Sequence, residues 1–387
     1  MRTPGVIIYL CIMLIFVSCS NHEKTKIQEI NPTKFEKTEL FLSEYAESID
    51  YIQLESNPPF SSIITCKVVD SLIYAAVRPN GNMLVYDMKG KFQRKIGRNG
   101  RGPGEYKYAM HFCVDSDEGK VYVLSQKKII IYSIGGSFIK EISLADYDTT
   151  FCSIRVHHGN IYLFDNFCCG YMKYNWLVLN KEGEQVSSKL NSVAPFKCRQ
   201  IPGNKIVFED DENMYYWNYL NDSIFQIKPD NHSLKYLFAH GNFRISPSNW
   251  DNDKIVYGSC FRPDRIFKTH NSLILRYFMA HRYGIAVSKT RNLSFKSYEI
   301  DFSEKIFGFI NDIDGGMPLD PKQCVNSTDK QYLMSYIPAL SLKQYVESNK
   351  FGQTKCKQPV LHEKLKAFAS QIDENDNPIL ILAKLKE

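Results

Sequence analysis

Ten residues, Gly97 to Tyr106 (GRNGRGPGEY), concentrate the groups of this chain that could do chemistry. Backbone amides of a glycine-rich loop can cradle an anion, and arginine grips carboxylate or phosphate with paired N–H groups. Arg98, Arg101, Glu105 and Tyr106 are therefore candidate binders of an anionic or sugar ligand. The competing expectation is a structural loop in which Arg98 and Arg101 pair with acids such as Glu105. No Gly-Lys-Ser/Thr ends the block, and it opens no βαβ unit, so neither common nucleotide loop is present.

Asn311-Asp312-Ile313-Asp314-Gly315-Gly316 is a second candidate. Asp312 and Asp314 offer hard oxygen donors for a divalent cation, the one cofactor in view. The late glutamate of a calcium loop is missing, which favours a plain turn. His157, His158, His232, His240, His270, His281 and His362 form no H-E-x-x-H pair. A metal site here would have to be assembled from separate repeats. There is no G-x-S-x-G elbow and no C-x-x-C, so no catalytic residue is nominated. The cysteines read as small buried hydrophobes. Tyr171, Tyr174, Trp176, Tyr215, Tyr216, Trp217 and Trp250 would stack on sugars or, more simply, pack inside the fold.

The elements that must position these groups are strands. Leu84–Ile96 and Ile130–Ile142 align without a gap, placing Tyr86 on Tyr132 and Gly90 on Gly136. Such a period marks a repeat architecture. Short β-branched and aromatic runs bounded by Gly, Asn and Asp give four strands per unit. The first unit reads Ile63–Val69, Leu72–Val77, Met83–Tyr86 and Phe92–Ile96. The second and third repeat this from Phe112 and from Ser153. A fourth covers Lys205–Phe208, Tyr215–Trp217 and Ser223–Ile227. The fifth takes Tyr236–Phe238, Ile255–Cys260, Leu273–Phe278 and Tyr283–Ser288. The sixth takes Ser294–Ile300, Ile306–Ile310 and Tyr332–Tyr336. Four antiparallel strands repeated radially make a propeller blade. The expected fold is all-β, a six-bladed β-propeller, with seven compact blades as the alternative count. Residues 338–373 read as a helical insertion, with Ser341 as one N-cap and Pro359 opening a second helix. Val360, Leu361, Leu365, Phe368 and Ile372 would share its buried face. Tyr51–Leu54 and Ile379–Leu385 are the expected closing strands.

Arg2 precedes an apolar run, Val6 to Val17, too short to span a bilayer, and Phe16-Val17-Ser18-Cys19 reads as a lipobox. Residues 1–18 are expected to be a lipoprotein signal, Cys19 the lipidated residue, 19–38 a tether and 39–387 the propeller. A bilayer, reached through the lipid, is then the first partner, and the outer membrane the expected address. The net charge of +6 is scattered, with no basic stripe for nucleic acid.

Leu42-Ser43-Glu44-Tyr45 with Ile52-Gln53-Leu54-Glu55, the KGKFQRKIGRNGRGPGEY block, Asn311–Gly316 and Glu374–Leu380 together resemble the six-bladed β-propeller lipoproteins. That bacterial family is related in shape to NHL-repeat propellers. The resemblance implies a secreted, lipid-anchored propeller and transfers no catalytic residue. The expected role is a binding or scaffold module for a glycan, peptide or envelope protein. The alternative is a metal-assisted lyase or hydrolase with its site on the propeller axis.

Overall fold

The computed structural model describes residues 27–386, apart from 110, 148–149, 166–169, 198–204, 211, 291, 305, 328–329 and 354. The signal segment and Cys19 lie outside the described residues, as do Cys168 and Cys169.

Six antiparallel sheets form six blades. The first holds Ser62–Val69, Leu72–Arg78, Asn82–Asp87 and Phe92–Ile96. The second runs from His111–Asp115 to Phe138–Ser143, the third from Phe151–His157 to Gln185–Leu190. The fourth runs from Lys205–Glu209 to His232–Phe238, the fifth from Arg262–Lys268 to Asn292–Asp301. The sixth is made from both ends of the chain: Gln323–Ser327, Lys330–Ile337, Ile379–Leu385 and Ala46–Gln53. Leu380 pairs with Ile52 and Ile381 with Tyr51, the closure expected from sequence.

Blades bury both faces, so their middle strands are apolar throughout rather than alternating. Tyr174–Leu179 is buried at every position. The core lies in the seams between blades. In the seam between the third and fourth, Phe164 stacks on Tyr216 with centroids 5.9 Å apart, and Trp176 tilts against the same ring at 5.2 Å. The periodic glycine also has a seam function. Gly90 and Gly136 have φ of 78° and 96°. A Cβ would sit 1.9 Å from Gln53 O at Gly90 and 2.9 Å from Lys95 O at Gly136. Each glycine thus lets a hairpin press on the outer strand of the preceding blade.

Four segments differ from the sequence reading. Tyr236–Phe238 ends the fourth blade, and Ser294–Ile300 ends the fifth rather than opening the sixth. Ile255–Cys260 is not a strand: Asp253–Gly258 is a helix, capped by the Asn252 side chain accepting from Ile255 N–H. Ile306–Ile310 makes only isolated bridges, Phe41 to Ile310 and Phe309 to Leu319.

Two short strands fall within residues 19–38, the segment expected as a tether. Gln28–Ile30 adds a parallel fifth strand to the outer edge of the fourth blade, and Glu36–Lys37 does the same for the fifth. Burial drives this, since Ile30 is fully buried and Phe35 packs on Phe261, Tyr277 and Phe295. The helical insertion is Ala339–Glu347 and Pro359–Gln371. Its first helix starts two residues before Ser341 and lacks a side-chain cap. Val360 is 70% exposed, while Leu365, Ala369 and Ile372 are buried, so the packed face excludes Val360.

Candidate functional site

The GRNGRGPGEY block bridges the outer strand of the first blade and the inner strand of the second. Most of its contacts lie within the loop and its neighbouring strands. Glu105 pairs with Arg98 at 2.7 Å and accepts the Gly102 N–H at 2.9 Å. The Gly102 amide and then Arg98 hold the Glu105 carboxyl below its ordinary range. Gly104 N–H goes to Glu141 at 2.7 Å, and Gly100 N–H to Tyr106 O at 3.0 Å. Tyr106 is fully buried; its hydroxyl donates to Ile96 O at 2.8 Å and accepts from Met83 N–H at 3.2 Å. Of the four candidates, Arg98 and Glu105 brace the loop internally, Tyr106 ties it to the first blade, and Arg101 is exposed. The amides of Gly100, Gly102 and Gly104 thus have acceptors within the fold.

Asp312 and Asp314 are likewise hubs. Asp312 accepts from Ser43 N–H at 2.9 Å and Ser43 Oγ–H at 2.6 Å, and pairs with Lys357 at 2.9 Å. Burial opposes its ionisation, but the Ser43 and Lys357 donors outweigh burial and lower its pKa. Asp314 accepts from Asn311 Nδ2 at 2.7 Å and Gly316 N–H at 2.8 Å, and burial raises its pKa. His362 packs beside this turn, its Nδ1 2.7 Å from Asp314 O. The turn therefore fastens the N-terminal segment and the second C-terminal helix. Among the described residues no group of three His, Cys, Asp or Glu side chains could hold a metal ion. Trp176, Trp217, Trp250, Tyr215 and Tyr216 are buried in packing; Tyr171 is exposed.

The inner strands of all six blades instead surround a central channel of about 640 Å³. Five cations line it, Lys67, Arg155, Arg265, Lys268 and Lys322, against three acids, Glu209, Asp210 and Asp264. His111 and His157 also face it. On the fourth-to-sixth-blade side the charges are paired. Lys268 bonds Asp210, to which Tyr215 OH also donates at 2.9 Å. Burial opposes ionisation of Asp210, but Lys268 and Tyr215 outweigh it and lower its pKa. Arg276 bonds Asp264 and lies 2.8 Å from Asp320, which Lys322 also bonds. Burial raises the Asp264 pKa and lowers that of Lys322. The first-to-third-blade side is different. Arg155 Nη1 donates to Ile154 O at 2.9 Å and Ser153 Oγ at 3.3 Å, yet its Nε is buried without an acceptor. Glu209 Oε1 is 3.7 Å away, beyond hydrogen-bond reach. His157 Nε2 is also buried without a partner.

The sequence reading expects a site on the propeller axis only for the alternative, metal-assisted enzyme, and does not assemble this lining. The lining's only trace is a set of charged or polar residues inside otherwise apolar inner strands: Lys67, Arg155, His157 and Lys268.

The profile of a family described as a domain of unknown function, DUF4934, matches residues 27–384, and the chain belongs to that family. No curated protein matches the sequence. Among solved structures, the fold is similar to that of a Bacteroides fragilis NCTC 9343 protein described as a candidate exported protein. That match has a TM-score of 0.68 at 17% identity, covering 93% of this chain and all of the other. A member of the DUF4221 family from Bacteroides vulgatus ATCC 8482 is similar at TM-score 0.53 and 12% identity, covering 88% of this chain and 97% of the other. At these identities the likeness concerns the fold.

Proposed function

We propose that this DUF4934 protein is an exported, lipid-anchored binding module of the bacterial envelope, and that its ligand enters the axial channel. The observation that carries the reading is the channel itself. It offers about 640 Å³ inside a closed ring, with polar and charged side chains supplied by every blade. Small-molecule sites fall in concave, preformed places of about this size. A glycan fragment or a peptide end fits that polarity better than an apolar ligand.

Anchoring follows from the lipobox ending at Cys19 and from the ring's N-terminal entry. Eight residues separate Cys19 from the first described strand, Gln28–Ile30, a length of chain that can reach at most roughly 30 Å. No helix among the described residues is long and apolar enough to cross a membrane. Lipid is then the proposed attachment, to the outer membrane. The channel acids face Lys and Arg rather than histidine, so no observation favours the metal-assisted lyase or hydrolase.

The test is a thermal-shift panel of neutral and acidic sugars and short peptides on the wild type and on Thr65→Trp and Ser153→Tyr, which narrow the channel. A ligand that stabilises the wild type and neither variant supports the reading. Equal stabilisation of all three places binding elsewhere. For the anchor, Cys19→Ser should move the protein from the membrane to the soluble fraction; retention in the membrane fraction contradicts lipidation.

A further inference from the structure

We infer that the first-to-third-blade side of the channel is an oxyanion site, in which Lys67, Arg155 and His157 receive a carboxylate, phosphate or sulfate group of the ligand. The inference rests on the channel being the binding site. Lys67 lies two residues before the end of the first blade's inner strand, and Arg155 two residues before the end of the third's. They therefore stand at matching depth. His157 is the last residue of the same third-blade strand. At the level of Lys67 and Arg155 the second blade, between them, contributes the uncharged Cys113, and its strand ends at Asp115. Its Cys113 Sγ accepts the Val156 N–H at 3.3 Å and fixes one inner strand against the next.

Three features make the group a receptor rather than a self-contained network. The Arg155 guanidinium is held in place through Nη1, while Nε stays buried and lacks an acceptor. His157 Nε2 is buried without a partner, and that ring's neighbour is His158, 4.1 Å away. Among the described residues, Lys67 has no ion pair, and Arg155 has one long pair, with Glu209 at 3.7 Å, which supplies no hydrogen bond. Burying an N–H donor without an acceptor is costly, and the cost is relieved when an acceptor enters. A group that is acceptor-only, negatively charged and multidentate answers all three nitrogens at once. A neutral sugar hydroxyl answers at most one donor each and leaves the charge unbalanced. The opposite wall, being already paired, would face the uncharged remainder of the ligand. A ligand with one anionic end and one polar neutral end fits this asymmetry, as in an acidic sugar. Free phosphate shares the anionic chemistry without the neutral end.

The test is calorimetric titration of the full chain in detergent, at low salt, with inorganic phosphate, sodium sulfate, D-galacturonate and D-galactose, repeated for Arg155→Gln and Lys67→Gln. Melting curves verify that each variant folds. The inference expects galacturonate to bind more tightly than galactose, with each variant weakening it roughly tenfold or more. Added salt should weaken it further. Phosphate or sulfate binding with equal affinity, lost in the same variants, would keep the oxyanion site and make the free anion the ligand. Galactose bound as tightly as galacturonate, with both variants unaffected, overturns the oxyanion site and leaves the channel reading intact. Anion binding unchanged in both variants and in the channel-narrowing variants overturns both. If Arg155→Gln does not fold, Lys67→Gln carries the decision alone.

Discussion

Ser43 and Asp312 lie 269 positions apart in sequence, and the backbone and hydroxyl of the first both donate to the carboxylate of the second. This contact ties the segment entering the sixth blade to the turn that precedes the helical insertion. Asp312→Ala removes the one acceptor that these two groups have among the described residues. The expected cost is about 1–3 kcal/mol, since part of the contact is buried. Lys357, 60% exposed, contributes little of it. Urea denaturation checks this, and an unchanged midpoint would show the contact to be incidental.

The same carboxylate gives a pH dependence. Its folded pKa is lowered relative to the unfolded value of about 3.9. The stabilisation is therefore fully present above that unfolded value and is lost as pH falls through the lower folded one. Wild type and Asp312→Asn should thus differ in stability at neutral pH and converge in acid below about pH 4. A difference that persists or grows in acid would contradict the assignment.

Ring closure depends on the last strand. Leu380 is fully buried between the sixth and first blades and pairs with Ile52. Leu380→Ala should cost about 2–5 kcal/mol, read as a lower denaturant midpoint with little change in slope. A cost under about 1 kcal/mol, the scale of a surface change, would mean that closure is not cooperative with the ring.

Tyr106→Phe separates the two roles offered for the glycine-rich block. It strips the hydroxyl that links Ile96 O and Met83 N–H, so a loss of about 1–3 kcal/mol is expected. Ligand affinity at 25 °C should not change. Weakened ligand binding in a folded Tyr106→Phe protein would return the block to candidacy as a binding loop.

Phe35 tests the N-terminal strap. It contacts three aromatic rings of the fifth-blade seam. Phe35→Ala should cost about 3–5 kcal/mol by differential denaturation. A neutral result would restore the picture of a loose tether up to residue 38.

The sequence made the ring legible where turns are glycine-marked. Gly90, Gly136 and Gly183 hold the first three units in phase, and all four strands of each were located. The phase slipped after Ile227, where Tyr236–Phe238 was assigned to the next unit. Ile255–Cys260 failed for a related reason. A six-residue apolar run has no period long enough to separate strand from helix, and the Asn252 cap decided it. Gln28–Ile30 is too short and polar to announce a strand; only the uncovered edge beside it makes it one. Lys67 and Arg155 were invisible as a site because 87 residues separate them, and only ring closure brings both to one channel. The glycine-rich block leaves two expectations open in sequence, and the pairing of Arg98 with Glu105 is the one expected of a structural loop. Its residue types suit anion binding, but Glu105 and Glu141 occupy its amides from within.

The most direct test of the channel account is anomalous diffraction from crystals soaked in selenate, a tetrahedral oxyanion. The account predicts a selenium peak on the axis beside Arg155 and His157, placed so that selenate oxygens accept hydrogen bonds from Arg155 Nε and His157 Nε2. Peaks confined to the outer surface, with none in the channel at full occupancy elsewhere, would contradict it.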